Sequence, residues 1–366
     1  MRVLFMGTPD IATGCLQKLI DEKYDIIGVV TQPDKPQNRG KKLGMPPVKE
    51  LALKYDIPVY QPIKARDEEF VATLKELNPD IIVVVAFGQI LPKSILDIPK
   101  FGCINVHVSL LPKYRGAAPI NWVIINGEEK TGVTTMYMDE GLDTGDMILT
   151  EEFDLDDEIT AGELHDKMKD RGADVLIETL KQIEKGTAHR IPQNHEEFTY
   201  APMMNKALGE INWSKSAREI HNLVRGVNPW PSAYTTYEGL TMKVWKTEVL
   251  NETSDKEPGT ILKVDKDGIR ISTKDNVVLV KEIQMPGKKR VLVSWVNLKK
   301  YDNDKVADIM GSHVMVFGLC LSAIAGINYV LKNRYPYIIT ITIIVMAVAT
   351  EFGAYYRICK YAKLED

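Results

Sequence analysis

Short continuous apolar runs alternate with longer stretches whose apolar residues recur at helical spacing. Val3 to Met6, Ile26 to Val30 and Asp80 to Ala86 are such runs, the pattern of strands buried on both faces. Between them, about Ile11 to Asp21, Val48 to Tyr55 and Asp67 to Leu77 read as helices. Strand, helix, strand in this order predicts an α/β domain with a parallel, doubly wound sheet. Thr160 to Lys185 is a long helix in which Ala161, Leu164, Met168, Ala173, Leu176, Leu180 and Ile183 form one stripe, and it closes the first domain. From Gly186 to Lys206 the pattern is polar and irregular, as in a linker. After a short helix at Ser216 to Val224, the segments Met242 to Val249, Thr260 to Val264, Ile269 to Ser272 and Val277 to Gln284 are short and strand-like, with turns such as Asp265 to Gly268. That spacing predicts a small antiparallel β-barrel of the OB-like kind. The domains expected are 1–188, a linker at 189–206, and the barrel at 207–300.

The pattern then changes. Residues 301–366 form an apolar helical tail, with candidate membrane helices at 314–331 and 335–350, against the roughly 20 apolar residues that a span needs. Lys299, Lys300 and Lys305 precede the pair and Arg357, Lys360 and Lys363 follow it, which orients a hairpin with both ends in the cytosol. The tail reads as a tether to the inner face of a membrane, as two helices buried against the barrel, or as unrelated sequence joined near Arg290.

Composition narrows the functions. The 366 residues are enough for two or three domains, and a formal charge of −4 means that any polyanion must be met by local basic patches. Cys15, Cys103, Cys320 and Cys359 lie too far apart for a zinc or disulfide framework, which fits a reducing cytosol. The turn Gly7 to Asp10 lacks the full glycine fingerprint of a dinucleotide site. Residues 32–47 hold four prolines with Lys35, Arg39, Lys41 and Lys42, too irregular for a helix or strand.

The chemistry concentrates between residues 102 and 146. A strand at Cys103 to Val108 puts Asn105 and His107 on one face, because alternate side chains of a strand point the same way. Leu110, Leu111 and Pro112 end it, Lys113 to Gly116 turns, and Ala117 to Trp122 starts a helix with Pro119 in its first turn. A further strand, Thr131 to Met138, delivers Asp139 to Asp143 as a glycine-containing turn. An amide donor, a titratable base and a carboxylate can therefore converge. His189, His195 and Glu196 read as exposed linker residues, since their spacing does not suit a metal site; no metal is expected.

Asn-x-His at 105–107, Ser-Leu-Leu-Pro at 109–112, Arg-Gly-Ala-Ala-Pro-Ile at 115–120 and Gly-Leu-Asp-Thr-Gly-Asp at 141–146 together resemble the signature of the formyltransferases that use 10-formyltetrahydrofolate. Within that family, the basic loop and Asn228-Pro-Trp-Pro231 look like the members that act on methionyl-tRNA. The resemblance covers roughly residues 1 to 290 and then stops, which favours the fusion reading of the tail. It implies a Rossmann-like catalytic domain followed by a domain that helps hold tRNA. The activity implied is formyl transfer from 10-formyltetrahydrofolate to the α-amino group of initiator methionyl-tRNA. Asn105, His107 and Asp143 would be catalytic. Ser109, Leu110, Leu111 and Pro112 would wall the folate site with Phe87, Gln89 and Leu91, and Arg39, Lys41 and Lys42 would contact tRNA. Val108 is bulkier than the small residue or proline expected there. The protein is expected to act as a monomer in the cytoplasm, with membrane contact only through the tail. The alternatives are a formyltransferase for a small amine such as an amino sugar nucleotide, and a membrane-tethered RNA-binding module with a blocked catalytic core.

Overall fold

The computed structural model describes residues 1–37 and 42–293. The chain forms two compact units, Met1–Lys246 and a second beginning at Thr247.

In the first unit, β1 (Arg2–Gly7), α1 (Asp10–Asp21) and β2 (Asp25–Val30) are followed by a small hairpin, β3 (Lys35–Gln37) and β4 (Lys42–Gly44). Then come α2 (Pro47–Lys54), β5 (Val59–Tyr60), α3 (Glu68–Leu77), β6 (Ile81–Val85), α4 (Lys93–Leu96) and β7 (Cys103–His107). The two-residue β8 (Arg115–Gly116) precedes α5 (Pro119–Ile125), β9 (Lys130–Tyr137), β10 (Met147–Asp154) and α6 (Ala161–Lys185). A seven-stranded sheet runs β10-β9-β7-β6-β1-β2-β5. Val3 and Phe5 enter one core with α1 and α6, while Leu4 and Met6 enter the other with α3 and α4. A strand with both faces covered needs an apolar residue at every position, which is why these strands read as unbroken runs.

The sheet departs from the all-parallel expectation on one side. β9 runs antiparallel to β7, and β10 antiparallel to β9. Only the short turn after Tyr137 joins β9 to β10, too few residues for the crossover that parallel strands need. The region around the basic loop also differs from the reading as wholly irregular, because β3 pairs with β4. Lys49 closes the base of this hairpin, donating to both Asp34 carboxylate oxygens at 2.9 and 2.7 Å and to Gln61 Oε1 at 2.8 Å. The Lys49 hydrogen bond is the main reason that Asp34 titrates below its usual range.

α6 starts in a capping box, with Thr160 and Glu163 exchanging side-chain and backbone hydrogen bonds, and ends at Gly186 in the left-handed conformation. All seven residues of its expected stripe are buried. The stretch read as a linker is mostly exposed but tied down at two points: β11 (Tyr200–Ala201) pairs with β8, and Ile191 exchanges two backbone hydrogen bonds with Met147. α7 (Ala217–Gly226) then opens with a second capping box, from Ser216 and Glu219. β12 (Ala233–Tyr237) pairs antiparallel with the start of β13 (Leu240–Leu250).

The second unit contains β14 (Ile261–Asp265), β15 (Gly268–Ser272), β16 (Val277–Gln284) and β17 (Val291–Leu292), paired in sequence as an antiparallel meander. The candidate membrane helices at 314–331 and 335–350 lie outside the described residues, as do Arg39 and Lys41. Among the described residues, no helix is long and apolar enough to cross a membrane.

Candidate active site

Strand order reverses between β1 and β6, whose neighbours lead away in opposite directions. Open α/β sheets take ligands beyond the carboxyl ends of their strands at such a point. A cavity of about 490 Å³ lies there, with Val84 at the end of β6, the turn Ala86 to Leu91, and Asn105 to Val108 in its lining. Gly116, Ala117, Met136, Met138, Asp143 and Tyr200 complete much of the wall.

Asn105 and His107 sit two residues apart at the end of β7, and Asp143 arrives from the turn between β9 and β10. The His107 ring is buried, with Nε2 3.0 Å from the Tyr114 carbonyl oxygen. A carbonyl only accepts, so Nε2 carries the hydrogen and the Nδ1 lone pair is left for proton transfer. Nδ1 faces Asp143 Oδ2 at 3.8 Å, beyond hydrogen-bond length but close enough for a charge on the ring to be felt. Asp143 Oδ1 accepts from Asn105 Nδ2 at 3.4 Å, and its Oδ2 accepts from the Gly116 backbone at 2.8 Å. Gly116 has φ +113°, and a Cβ there would stand 2.6 Å from the Tyr200 ring. Only glycine makes this approach without displacing the aromatic wall.

Phe87, Gln89 and Leu91 line the cavity. Gln89 is also tied to the backbone, accepting from the Ala65 N–H at 2.7 Å. Ser109 to Pro112, which the resemblance places in the folate wall, are not among the lining residues of this cavity. Ser109 Oγ instead donates to the Lys113 carbonyl at 2.8 Å, and Thr134 Oγ1 donates to the Ser109 carbonyl and accepts from the Leu111 N–H. Leu110 lines a separate groove with Tyr114 and Glu128. Past the end of β7 the chain curls back on itself, so strand alternation no longer decides which side chains face the cavity. This segment shapes the turn that presents Tyr114 and Gly116. Val108, the bulky departure, does line the cavity.

Sequence reasoning missed the residues that hold the Asp143 turn. Gln193 and Arg115 are buried together, with Arg115 Nε and Nη2 donating to Gln193 Oε1 at 3.0 and 2.6 Å. Gln193 Nε2 donates to the carbonyls of Asp143 and Gly145, at 2.9 and 2.8 Å. Burial lowers the Arg115 pKa, opposed by Asp143 and Asp139. His195, read as an exposed linker residue, is exposed and has Nδ1 3.3 Å from Arg115 Nη2. Nearby, Arg190 lies over the Tyr137 ring and pairs with Asp146. A buried glutamine in a polar stretch has no periodic signature. The signal that could have been used was Arg115, a charged residue directly before the small and apolar run Gly116 to Ile120.

Burial pushes the Cys15 and Cys103 thiols up to about 12, so neither is a nucleophile at neutral pH. Asp10, His165 and Asp166 bring potential ligand atoms within 4.8 Å of one another. They are not in the cavity lining, and Asp10 already pairs with Lys169.

Comparison with known proteins supplies the context. Residues 1–180 match the family described as formyl transferase, and residues 203–299 match formyl transferase, C-terminal domain. The methionyl-tRNA formyltransferase of Clostridioides difficile is 75% identical over 293 residues, covering 80% of this chain and 95% of that protein. That of Acetivibrio thermocellus is 59% identical over 294 residues, covering 80% and 94%. Among solved structures, the sugar 3N-formyl transferase WlaRD, crystallised with dTDP and 5-N-formyl-THF, gives a TM-score of 0.60 at 22% identity over 79% of this chain and 99% of that one. HypX from Aquifex aeolicus in complex with tetrahydrofolic acid gives 0.53 at 17% identity over 81% of this chain, which spans about half of its length (46%). At these identities the two structures speak for the fold.

Proposed function

The chain belongs to the formyl transferase family, and from that membership together with the site we propose that it transfers the formyl group of 10-formyltetrahydrofolate to the α-amino group of methionyl-tRNA, the step that prepares the initiator. The observation that carries the acceptor is the 75% identity to a methionyl-tRNA formyltransferase along nearly its whole length. An amino sugar nucleotide as acceptor has only the fold likeness at 22% identity behind it.

The cavity suits the folate co-substrate. Its volume of about 490 Å³ lies in the range of small-molecule sites, roughly 300 to 1,000 Å³. Phe87, Leu91, Met136 and Met138 offer apolar surface to a fused ring, and Gln89 supports the turn. When bound, the folate supplies a formyl group on N10. In the transfer the amine nitrogen bonds the formyl carbon, the bond from that carbon to N10 breaks, and one proton passes from the amine to N10. Asn105 donates its amide to the formyl oxygen as negative charge grows there, an interaction whose loss typically costs about 100- to 1,000-fold. His107 accepts the amine proton at Nδ1 and passes it on. Asp143 faces the charged ring so formed and fixes its orientation.

The remaining parts take supporting roles. Arg39, Lys41 and Lys42 contact the phosphates at the acceptor end of the tRNA. The catalytic domain runs through 1–188 and a tRNA-holding domain through 207–300, where the antiparallel strands close into an OB-like barrel. The protein acts as a monomer.

The test is transfer of labelled formyl to methionyl-tRNA, with a dTDP-linked amino sugar as the competing acceptor. Label on the tRNA, with binding that weakens as salt rises, is expected. Label on the sugar alone overturns the assignment.

A further inference from the structure

Gln193 is 5% exposed, and its amide is used at both ends. Nε2 serves two carbonyls of one turn, those of Asp143 and Gly145, while Oε1 takes the fork of Arg115. These contacts close a ring. Arg115 is bonded covalently to Gly116, and the Gly116 N–H holds the Asp143 carboxylate at 2.8 Å. One end of Asp143 is thus held through its side chain and the other through its backbone, and both holds lead back to Arg115.

The turn needs such a hold. Asp143 has φ +53°, a left-handed conformation that is uncommon for a residue with a side chain, although aspartate adopts it more readily than most, and one that the hydrogen bonds around it hold in place. The carbonyls of Asp143 and Gly145 fall between β9 and β10, outside any strand ladder. Gly145 is pressed so close to its neighbour that a Cβ would stand 1.8 Å from the Tyr137 carbonyl oxygen. A side chain at 193 must therefore offer two donors to the turn and an acceptor to Arg115. Of the residues of this size, glutamine alone does both.

We propose that Gln193 is a positioning residue for formyl transfer, fastening the Asp143 turn to the Arg115 turn and so setting the distance from the carboxylate to His107 Nδ1. The proposal rests on the catalytic reading of Asp143. Gln193 touches neither acceptor nor folate; it acts through the carboxylate, and a displacement of about 1 Å at a reacting group is enough to cost about 100-fold.

The deciding variant is Gln193→Glu, which keeps the shape and the acceptor for Arg115 but removes both donors. Gln193→Met, similar in size and without either function, is read by the same criteria, so misfolding of one leaves the other. Expected are a kcat lower by about 100-fold, a nearly unchanged KM for 10-formyltetrahydrofolate, and a cooperative melt. Combined with Asp143→Asn, the Gln193 substitution should add no further loss, because both remove the same aimed carboxylate. A folded Gln193 variant with wild-type kcat overturns the proposal. So does a Gln193 effect that multiplies in full with Asp143→Asn. Should Asp143→Asn alone run at the wild-type rate, the catalytic reading of Asp143 falls first and takes the proposal with it, a result distinct from the other two.

Discussion

Asn105 and His107 stand on a strand that is paired on both sides, Asn105 opposite Val84 of β6 and Met136 of β9, and His107 opposite Thr134. Asp143, across the same cavity, stands on a turn whose carbonyls are satisfied by a side chain from far along the sequence. A strand-borne group inherits its place from a backbone ladder that no single side chain supports. A turn-borne group borrows its place, and the lender can be removed by one substitution. The strand wall should therefore lose chemistry without losing shape, and the turn wall should lose aim.

His107→Ala is the largest test of that contrast. Formyl transfer should fall by about 100- to 10,000-fold while the thermal melt stays close to wild type. A melt that collapsed along with activity would deny the strand its independence. Gly145→Ala comes next and acts on the other wall, forcing the turn to move where a Cβ would meet the Tyr137 carbonyl at 1.8 Å. A kcat lower by about 100-fold is expected, with the core of the unit still folded by circular dichroism; unchanged kcat would mean that Asp143 needs no such placement.

Thr134→Val sharpens the comparison from the strand side. It removes the hydroxyl that bridges the Ser109 carbonyl and the Leu111 N–H and should cost about 1 to 3 kcal/mol of stability in a denaturant titration. The activity of the folded fraction should barely change, and a loss on the scale of Gly145→Ala would erase the distinction between the walls. The smallest effect belongs to His221, which serves neither wall. Burial, the main cause, lowers its pKa from the usual 6.5 and Arg225 and Arg218 add to this, while a hydrogen bond at Asp157 and the charge of Glu158 oppose them. The unfolded chain thus binds the proton first, so stability from this group is complete above about pH 6.5 and drains as pH falls towards the lower folded value. Melting at about pH 7.5 and about pH 5.5 should show that extra loss in wild type and not in His221→Gln.

What could be read in advance follows the same division. β1, β6 and β7, α6, and the shared face of Asn105 and His107 were visible because burial on one or both faces imposes a period. β10 was not, since an edge strand carrying Glu151 and Glu152 has little apolar pattern to show. The hairpin of β3 and β4 hid behind its prolines. Asp143 was legible through its motif alone, and Ser109 to Pro112, given to the folate wall by the resemblance, are not in the cavity lining. Gln193 and Arg115 were missed because their pairing is a product of chain closure, which no local window contains.

That closure also has a place in time. Asp143 and Gln193 are 50 residues apart, and a ribosome adding about 5 to 20 residues per second takes roughly 2.5 to 10 s to cover that stretch. During synthesis Asn105 and His107 therefore precede the side chain that holds the Asp143 turn, and on the proposed reading the site becomes competent only when the segment through Ala201 has left the exit tunnel and folded back. A nascent chain stalled between α6 and Gln193 would carry a nearly complete sheet and an idle catalytic centre.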